Sequence, residues 1–162
     1  YMRKGKPDSA LSDYNKAISL DPQFVSPYYN RGLLYANLSN PDLAINDFTT
    51  AINLDPKYPD TYNDRGLAYM RKGKPNLAID DFNTAINLNP LFALPYYNRG
   101  LLYADQGKFD LAIENYSKTI NLNPQYAAAY HYRGVAEEIK GDHLQAQVDF
   151  QKATELGWSS EK

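Results

Sequence analysis

Fifteen tyrosines, scattered asparagines and four evenly spaced arginines carry the chemistry open to this chain, and it is the chemistry of recognition rather than bond making. Arg31, Arg65, Arg99 and Arg133 stand 34 residues apart. Asp47, Asp81 and Asp149 follow three of them at one fixed interval, and Glu114-Asn115 takes that place in the other. An arginine fork bidentate to a carboxylate satisfies a partly buried charge, so these pairs are expected to be structural. Only two histidines occur, His131 and His143, neither with a carboxylate or thiol at ligand spacing, and there is no cysteine. No serine has a nucleophile context and no glycine-rich loop follows a strand. The expectation is no enzyme, no catalytic residue, no metal and no cofactor.

The elements that position these residues follow from the same 34-residue beat, which runs through Gly32, Gly66, Gly100 and Gly134. Tyr28, Tyr62, Tyr96 and Tyr130 lie four before each glycine, and Tyr35, Tyr69 and Tyr103 three after it, with Tyr1 in the same place of an earlier unit. Twelve after comes Ala44, Ala78, Ala112 or Ala146, with Ala10 earlier, and sixteen after comes Tyr14, Phe48, Phe82, Tyr116 or Phe150. Pro22, Pro56, Pro90 and Pro124 close the units. Such a period marks a supersecondary unit that buries its apolar face only by stacking on its neighbours. Each unit holds two amphipathic segments split by a break such as Arg71-Lys72-Gly73-Lys74-Pro75, where glycine ends one helix and proline opens the next. Asn89-Pro90 ends the second helix, because a residue before proline disfavours helical geometry. Gly100 and Ala112 are expected to be small because two helices cross closely there.

These residues resemble the tetratricopeptide repeat: an aromatic, then glycine, tyrosine, alanine, phenylalanine or tyrosine and proline in one 34-residue helix-turn-helix. The chain departs from that signature in having arginine before each glycine, and Trp158 after Leu156-Gly157 where a closing proline is due. The resemblance implies an all-α fold, a right-handed α-solenoid of antiparallel helix pairs. Its expected organisation is a partial repeat over 1–24 with a truncated first helix, repeats over 25–58, 59–92 and 93–126, a C-terminal repeat over 127–160 with a polar capping helix, and a tail at 161–162. Gln145, Gln147 and Thr154 supply the polar face, and the truncated start is expected to expose apolar surface near Leu11 and Tyr14, through which copies could self-associate.

Twelve of the fifteen tyrosines fall at recurring places, Tyr58 and Tyr126 among them, and are expected in the core. Tyr29, Tyr97 and Tyr132 are left over. At 100° per residue they share a face away from the glycine-tyrosine stripe. Around them lie Ser26, Asn30 and Leu33, then Asp60, Asn63, Asp64, Leu67, Met70 and Arg71, then Asn98 and Leu101, and finally His131. In the family this face of the first helix lines the inner groove. Aromatic walls alternating with amides suit an extended peptide, whose backbone asparagine can both donate to and accept from. Asn30 and Asn98 occupy a place where peptide-binding members carry an asparagine ladder, which Asp64 and Tyr132 would break. The family's carboxylate clamp needs lysine and asparagine, then asparagine, then lysine and arginine, where this chain has Tyr29, Leu33, Asp64, Leu94 and Asn98, or, one register on, Asn63, Leu67, Asn98, Ala128 and Tyr132, so neither register supplies the cationic pocket. Acidic tails are therefore poor candidates.

Residues 1 to 34 match 69 to 102 more closely than 35 to 68, so the array has a second, two-repeat period. Any binding surface is expected to present similar features two units apart. A net charge of −2 and a pI near 5.6 give no footprint for nucleic acid. No apolar run approaches the ~20 residues of a membrane span, and the start does not resemble a signal peptide. The sequence predicts a protein-interaction scaffold, cytoplasmic by default, that takes a peptide or helix of a partner protein in its groove. A substrate-recruiting region of a larger enzyme or assembly machine, or a self-assembling solenoid, are the alternatives.

Overall fold

The computed structural model describes residues 7–159, so the expectations on Tyr1 and on the tail lie outside the described residues. Two compact units are present, Tyr1–Leu88 and Asn89–Lys162. The first carries α1 (Pro7–Leu20), α2 (Val25–Asn37), α3 (Pro41–Leu54), α4 (Pro59–Arg71) and α5 (Pro75–Leu88). The second carries α6 (Ala93–Asp105), α7 (Phe109–Leu122), α8 (Ala127–Lys140) and α9 (His143–Glu155). No strand occurs among the described residues, and the all-α expectation holds.

Short connections fold consecutive helices back on each other. In the first unit α2 packs on α3, α3 on α4 and α4 on α5; in the second α6 packs on α7, α7 on α8 and α8 on α9. The breaks work as their residues dictate. Gly73 has φ +67° with open space where a Cβ would stand, so conformation alone requires glycine there. Ser39 adopts the same left-handed geometry at φ 58°. Asn40 and Asp142 cap α3 and α9 by accepting from the Leu43 and Gln145 amides.

The helix glycines stand where the two helices of a repeat approach closely, as expected, and what they admit is an aromatic ring. A Cβ at Gly100 would stand 2.7 Å from Cε1 of Tyr116, and Gly32, Gly66 and Gly134 meet Phe48, Phe82 and Phe150 in the same way. Each glycine receives the aromatic ring of the following helix, and the alanine twelve residues on is fully buried, with the Ala146 carbonyl 3.1 Å from where a Gly134 Cβ would stand. Gly100→Leu is expected to lower stability by about 1–3 kcal/mol, because the Tyr116 ring must leave its site. An unchanged urea midpoint contradicts this packing.

On the flank facing the second helices, the arginines form the expected ion pairs. Arg65 donates through Nε and Nη2 to both Asp81 oxygens at 2.8 and 2.7 Å, Arg31 holds Asp47 at 2.7 and 2.7 Å, and Arg133 holds Asp149 at 2.6 and 2.8 Å. Arg99 donates instead to Asn115 Oδ1 at 2.8 Å. A third nitrogen reaches the helix before: Nη1 of Arg31, Arg65 and Arg133 donates to Asn15, Thr49 and Ser117. One arginine thus ties the second helices of two successive repeats.

The tyrosines bracketing Gly32 and Gly66 serve this arginine and are not simply core, and Tyr96 and Tyr130 stand likewise against Arg99 and Arg133. The Arg65 guanidinium lies 5.7 Å from the Tyr62 ring centre and 5.8 Å from that of Tyr69, and Arg31 sits likewise between Tyr28 and Tyr35. Glu137 replaces the second tyrosine in the last repeat. It is buried, and its Oε1 is 3.7 Å from Arg133 Nε.

The outer face of α9 carries the exposed Gln145, Gln147 and Thr154, but Leu144 and Val148 are exposed beside them, so that face is only partly polar. In α1 no residue is buried, and Leu11 and Tyr14 are partly covered.

Candidate functional site

In the first unit α2 and α4 lie side by side, and side-chain hydrogen bonds join the faces that carry the candidate residues. Tyr29 donates its hydroxyl to Asp64 Oδ2 at 2.8 Å, and Asn63 Nδ2 donates to Asp64 Oδ1 at 3.1 Å. The Tyr29 ring rests on Phe48 at 5.9 Å. Burial and the adjoining Asp64 carboxylate push the Tyr29 phenol well above its ordinary range, so it stays a donor. Burial also pushes the Asp64 carboxyl up, against the pull of its two donors, and Asp60 one turn earlier adds to the rise.

Tyr29 forms one wall of an open cleft of about 520 Å³. Gln23, Phe24, Val25 and Ser26 line it from the start of α2, and Asp55, Tyr58, Asp60 and Thr61 from the α3–α4 connection and the start of α4. Phe24 and Tyr58 are 50% and 54% exposed. Tyr58 is therefore not a core residue, and Phe24 and Asp55 escaped the sequence reading altogether. Both rings occupy N-cap positions, in extended backbone geometry and without a side-chain cap bond. From there they project beyond the helical wheel. The recurrence of Phe24, Tyr58, Phe92 and Tyr126 was the signal that could have found them.

The other candidates lie in varied surroundings. Asn30 is exposed and donates to the Ser26 carbonyl of its own helix. Leu33 packs on the Ala44–Phe48–Ala68 cluster. Leu67, Met70 and Leu101 are half-buried. Asn63 and Asn98 are only 3% and 6% exposed, so these amides do not stand open on an accessible face. Arg71 donates from Nη1 to the Ala36 carbonyl at 2.7 Å, satisfying the C-terminal turn of α2.

In the second unit, Tyr97 lies 4.9 Å from Tyr126, 6.0 Å from Tyr116 and 6.1 Å from Tyr132. His131 continues the surface, 5.2 Å from Tyr132 and stacked on Trp158 at 4.8 Å. Burial lowers the His131 pKa, which keeps the ring neutral against its aromatic neighbours. The Tyr116 hydroxyl and Trp158 Nε1 are buried with no hydrogen-bond partner among the described residues.

Asp64 and Tyr132 occupy equivalent places two repeats apart, and they make the two faces differ. Tyr29 is drawn to a carboxylate beside an open cleft, whereas its equivalent Tyr97 is closed against Tyr126 and Tyr132. The expected likeness of surfaces two units apart therefore does not hold for these residues. Among the described residues no three histidine or acidic side chains gather as a metal site would require, and no helix is long and apolar enough to cross a membrane.

Residues 1–39 and 42–73 match a family model described as TPR repeat, and residues 59–92 and 93–126 match one described as tetratricopeptide repeat. The fold is similar to the crystal structure of MamA, at 34% identity and a TM-score of 0.88, over 96% of this chain and 95% of that one. It is also similar to MamA 41-end from Desulfovibrio magneticus RS-1, at 25% identity and a TM-score of 0.86, over 99% and 91%. YrrB, described as a TPR protein with an unusual peptide-binding site, shares the fold at 24% identity and a TM-score of 0.76, over 93% and 78%. No curated protein matches the chain.

Proposed function

Because the chain belongs to the tetratricopeptide repeat family, we propose that it is a non-catalytic scaffold that binds an extended segment of a partner polypeptide along the first helices of its repeats. The observation that carries this reading is the cleft walled by Phe24, Tyr29 and Tyr58. Two exposed aromatic rings at N-cap positions cost the cap bond that serine, threonine, asparagine or aspartate would make, on the order of 1 kcal/mol at each helix start. About half of each side chain stays exposed to solvent. Such rings suit the side chains of an incoming peptide, since aromatic anchors in a cleft contribute most of the affinity of a small interface. Tyr29, held by Asp64 and Phe48, forms the fixed back wall. Leu67 and Met70 on α4 offer further apolar contact within the first unit, and Tyr97, Leu101, His131 and Tyr132 form the corresponding surface of the second unit, taken by itself.

Selection of binders from a random peptide library tests this directly. Enriched peptides are expected to lose at least about tenfold in affinity on Phe24→Ala with Tyr58→Ala, a pair that leaves helicity intact because both rings are half exposed. Unchanged affinity for the double variant, or no enrichment from the library, overturns the proposal.

A further inference from the structure

We propose that the cleft of the first unit selects an arginine-bearing segment of its partner, an inference that rests on the polypeptide-binding reading above. The charge around the cleft is one-sided. Asp55 and Asp60 line it, Asp64 stands behind the Tyr29 hydroxyl, and no lysine or arginine is among the lining residues. None of these three carboxylates belongs to an ion pair among the described residues, whereas Asp47, Asp81 and Asp149 on the other flank each hold an arginine. Asp60 and Asp64 are one turn apart on α4, and like charges at that spacing repel. A cation in the cleft relieves that repulsion.

The repeat period separates these acids from the scaffold. Scaffold residues recur every 34 positions, but the places of Asp55, Asp60 and Asp64 hold Asn89, Leu94 and Asn98 in the next repeat and Asn123, Ala128 and Tyr132 in the one after. In the preceding repeat they are Asp21, Ser26 and Asn30. Only the junction of the 25–58 and 59–92 repeats carries all three carboxylates. It is the junction whose N-cap aromatic, Tyr58, stands open on the cleft rather than closed on a neighbouring tyrosine as Tyr126 is.

Aromatic walls with carboxylates between them fit a guanidinium better than an ammonium. Its flat face stacks on a ring while its edge donates to a carboxylate, and it is more weakly hydrated than lysine. The protein already uses that arrangement internally, with Arg65 between Tyr62 and Tyr69 and its fork on Asp81. In the cleft Phe24 and Tyr58 take the part of the stacking rings, and Asp55 and Asp60 that of the acceptors.

Degenerate decapeptide pools with one fixed central residue separate this inference from the broader one. The probes are pools centred on arginine, lysine, citrulline, leucine and glutamate, measured against the chain and against Asp55→Asn with Asp60→Asn. Asparagine at 55 keeps the oxygen that accepts from the Lys57 amide, so the turn survives. The arginine pool is expected to bind about tenfold or more tightly than the citrulline pool, with lysine between them. The preference is expected to shrink in high salt and to fall below about twofold in the double variant. Equal binding of all pools leaves peptide binding standing and overturns the arginine preference. An arginine preference that survives the double variant overturns this cleft as its source, and no binding by any pool overturns both readings.

Discussion

Arg65→Met is expected to lower the free energy of unfolding by about 3–5 kcal/mol, the usual cost of removing one partner from a buried ion pair. The side chains of Arg65 and Asp81 retain 16% and 7% exposure, so solvent replaces little of what is lost. Burial already pushes the Asp81 carboxyl up, and the two hydrogen bonds from Arg65 pull against that rise. Without the arginine, desolvation and the neighbouring Asp80 charge remain, and both push the carboxyl up. Asp81 then stays protonated to a higher pH in the folded state than in the unfolded one, so the stability of the variant falls further behind as pH rises. The loss measured by urea unfolding is therefore expected to be larger at pH 8 than at pH 4. Arg65 also joins α4 to Thr49 on α3 and stacks on two tyrosines, so the effect spreads beyond one helix pair. Adding Asp81→Leu to Arg65→Met is expected to recover part of the loss, since no buried charge then lacks a partner. The exposed pairs Lys72–Asp42 and Lys140–Asp110 give the contrast, with Lys72→Met changing stability by no more than about 1 kcal/mol. Equal losses for Arg65→Met and Lys72→Met contradict the account of the arginine stitches.

Glu137→Gln is expected to stabilise the protein above neutral pH by roughly 2–3 kcal/mol and to leave it nearly unchanged below pH 5. Burial pushes the Glu137 carboxyl up to about 7; Asp149 and Asp142 add to the rise, and Arg133 opposes it. A carboxyl whose pKa rises on folding binds more protons folded than unfolded in the interval between the two values. Its contribution is fully present below the unfolded value and is lost as pH climbs through about 7. An amide has no proton to lose, so the variant's stability curve is expected to flatten across that window. Thermal melts from pH 4 to pH 9 check this. Parallel curves for the two proteins show that Glu137 does not titrate as its surroundings require.

The 34-residue period made the helix pairs legible because glycine, alanine and aromatic residues recur wherever helices must approach. The arginine-aspartate pairs were legible for the same reason, since two complementary groups recurring at one interval must meet in every repeat. The burial of Asn63 and Asn98 was not, because a helical wheel assigns a face to one helix and says nothing of how closely other chain segments cover it. Phe24 and Tyr58 were hidden by position: an N-cap side chain leaves the helix along its end and has no direction on the wheel. The two-repeat period misled about the surface, because the frame repeats while Asp55, Asp60 and Asp64 become Asn123, Ala128 and Tyr132, and an acidic, open cleft gives way to a closed aromatic cluster. Glu137 was visible as a break in the tyrosine series, but only its buried place beside Asp149 and Arg133 gives that break a consequence.

The most direct test of peptide binding is a titration of the isotope-labelled chain with the tightest library-selected peptide, followed by NMR amide shifts and intermolecular contacts. The account predicts shifts concentrated in residues 23–29 and 55–61, with contacts from the peptide to the Phe24 and Tyr58 rings. Shifts confined to the opposite flank around Arg31, Asp47, Arg65 and Asp81, with no contact to either ring, contradict it.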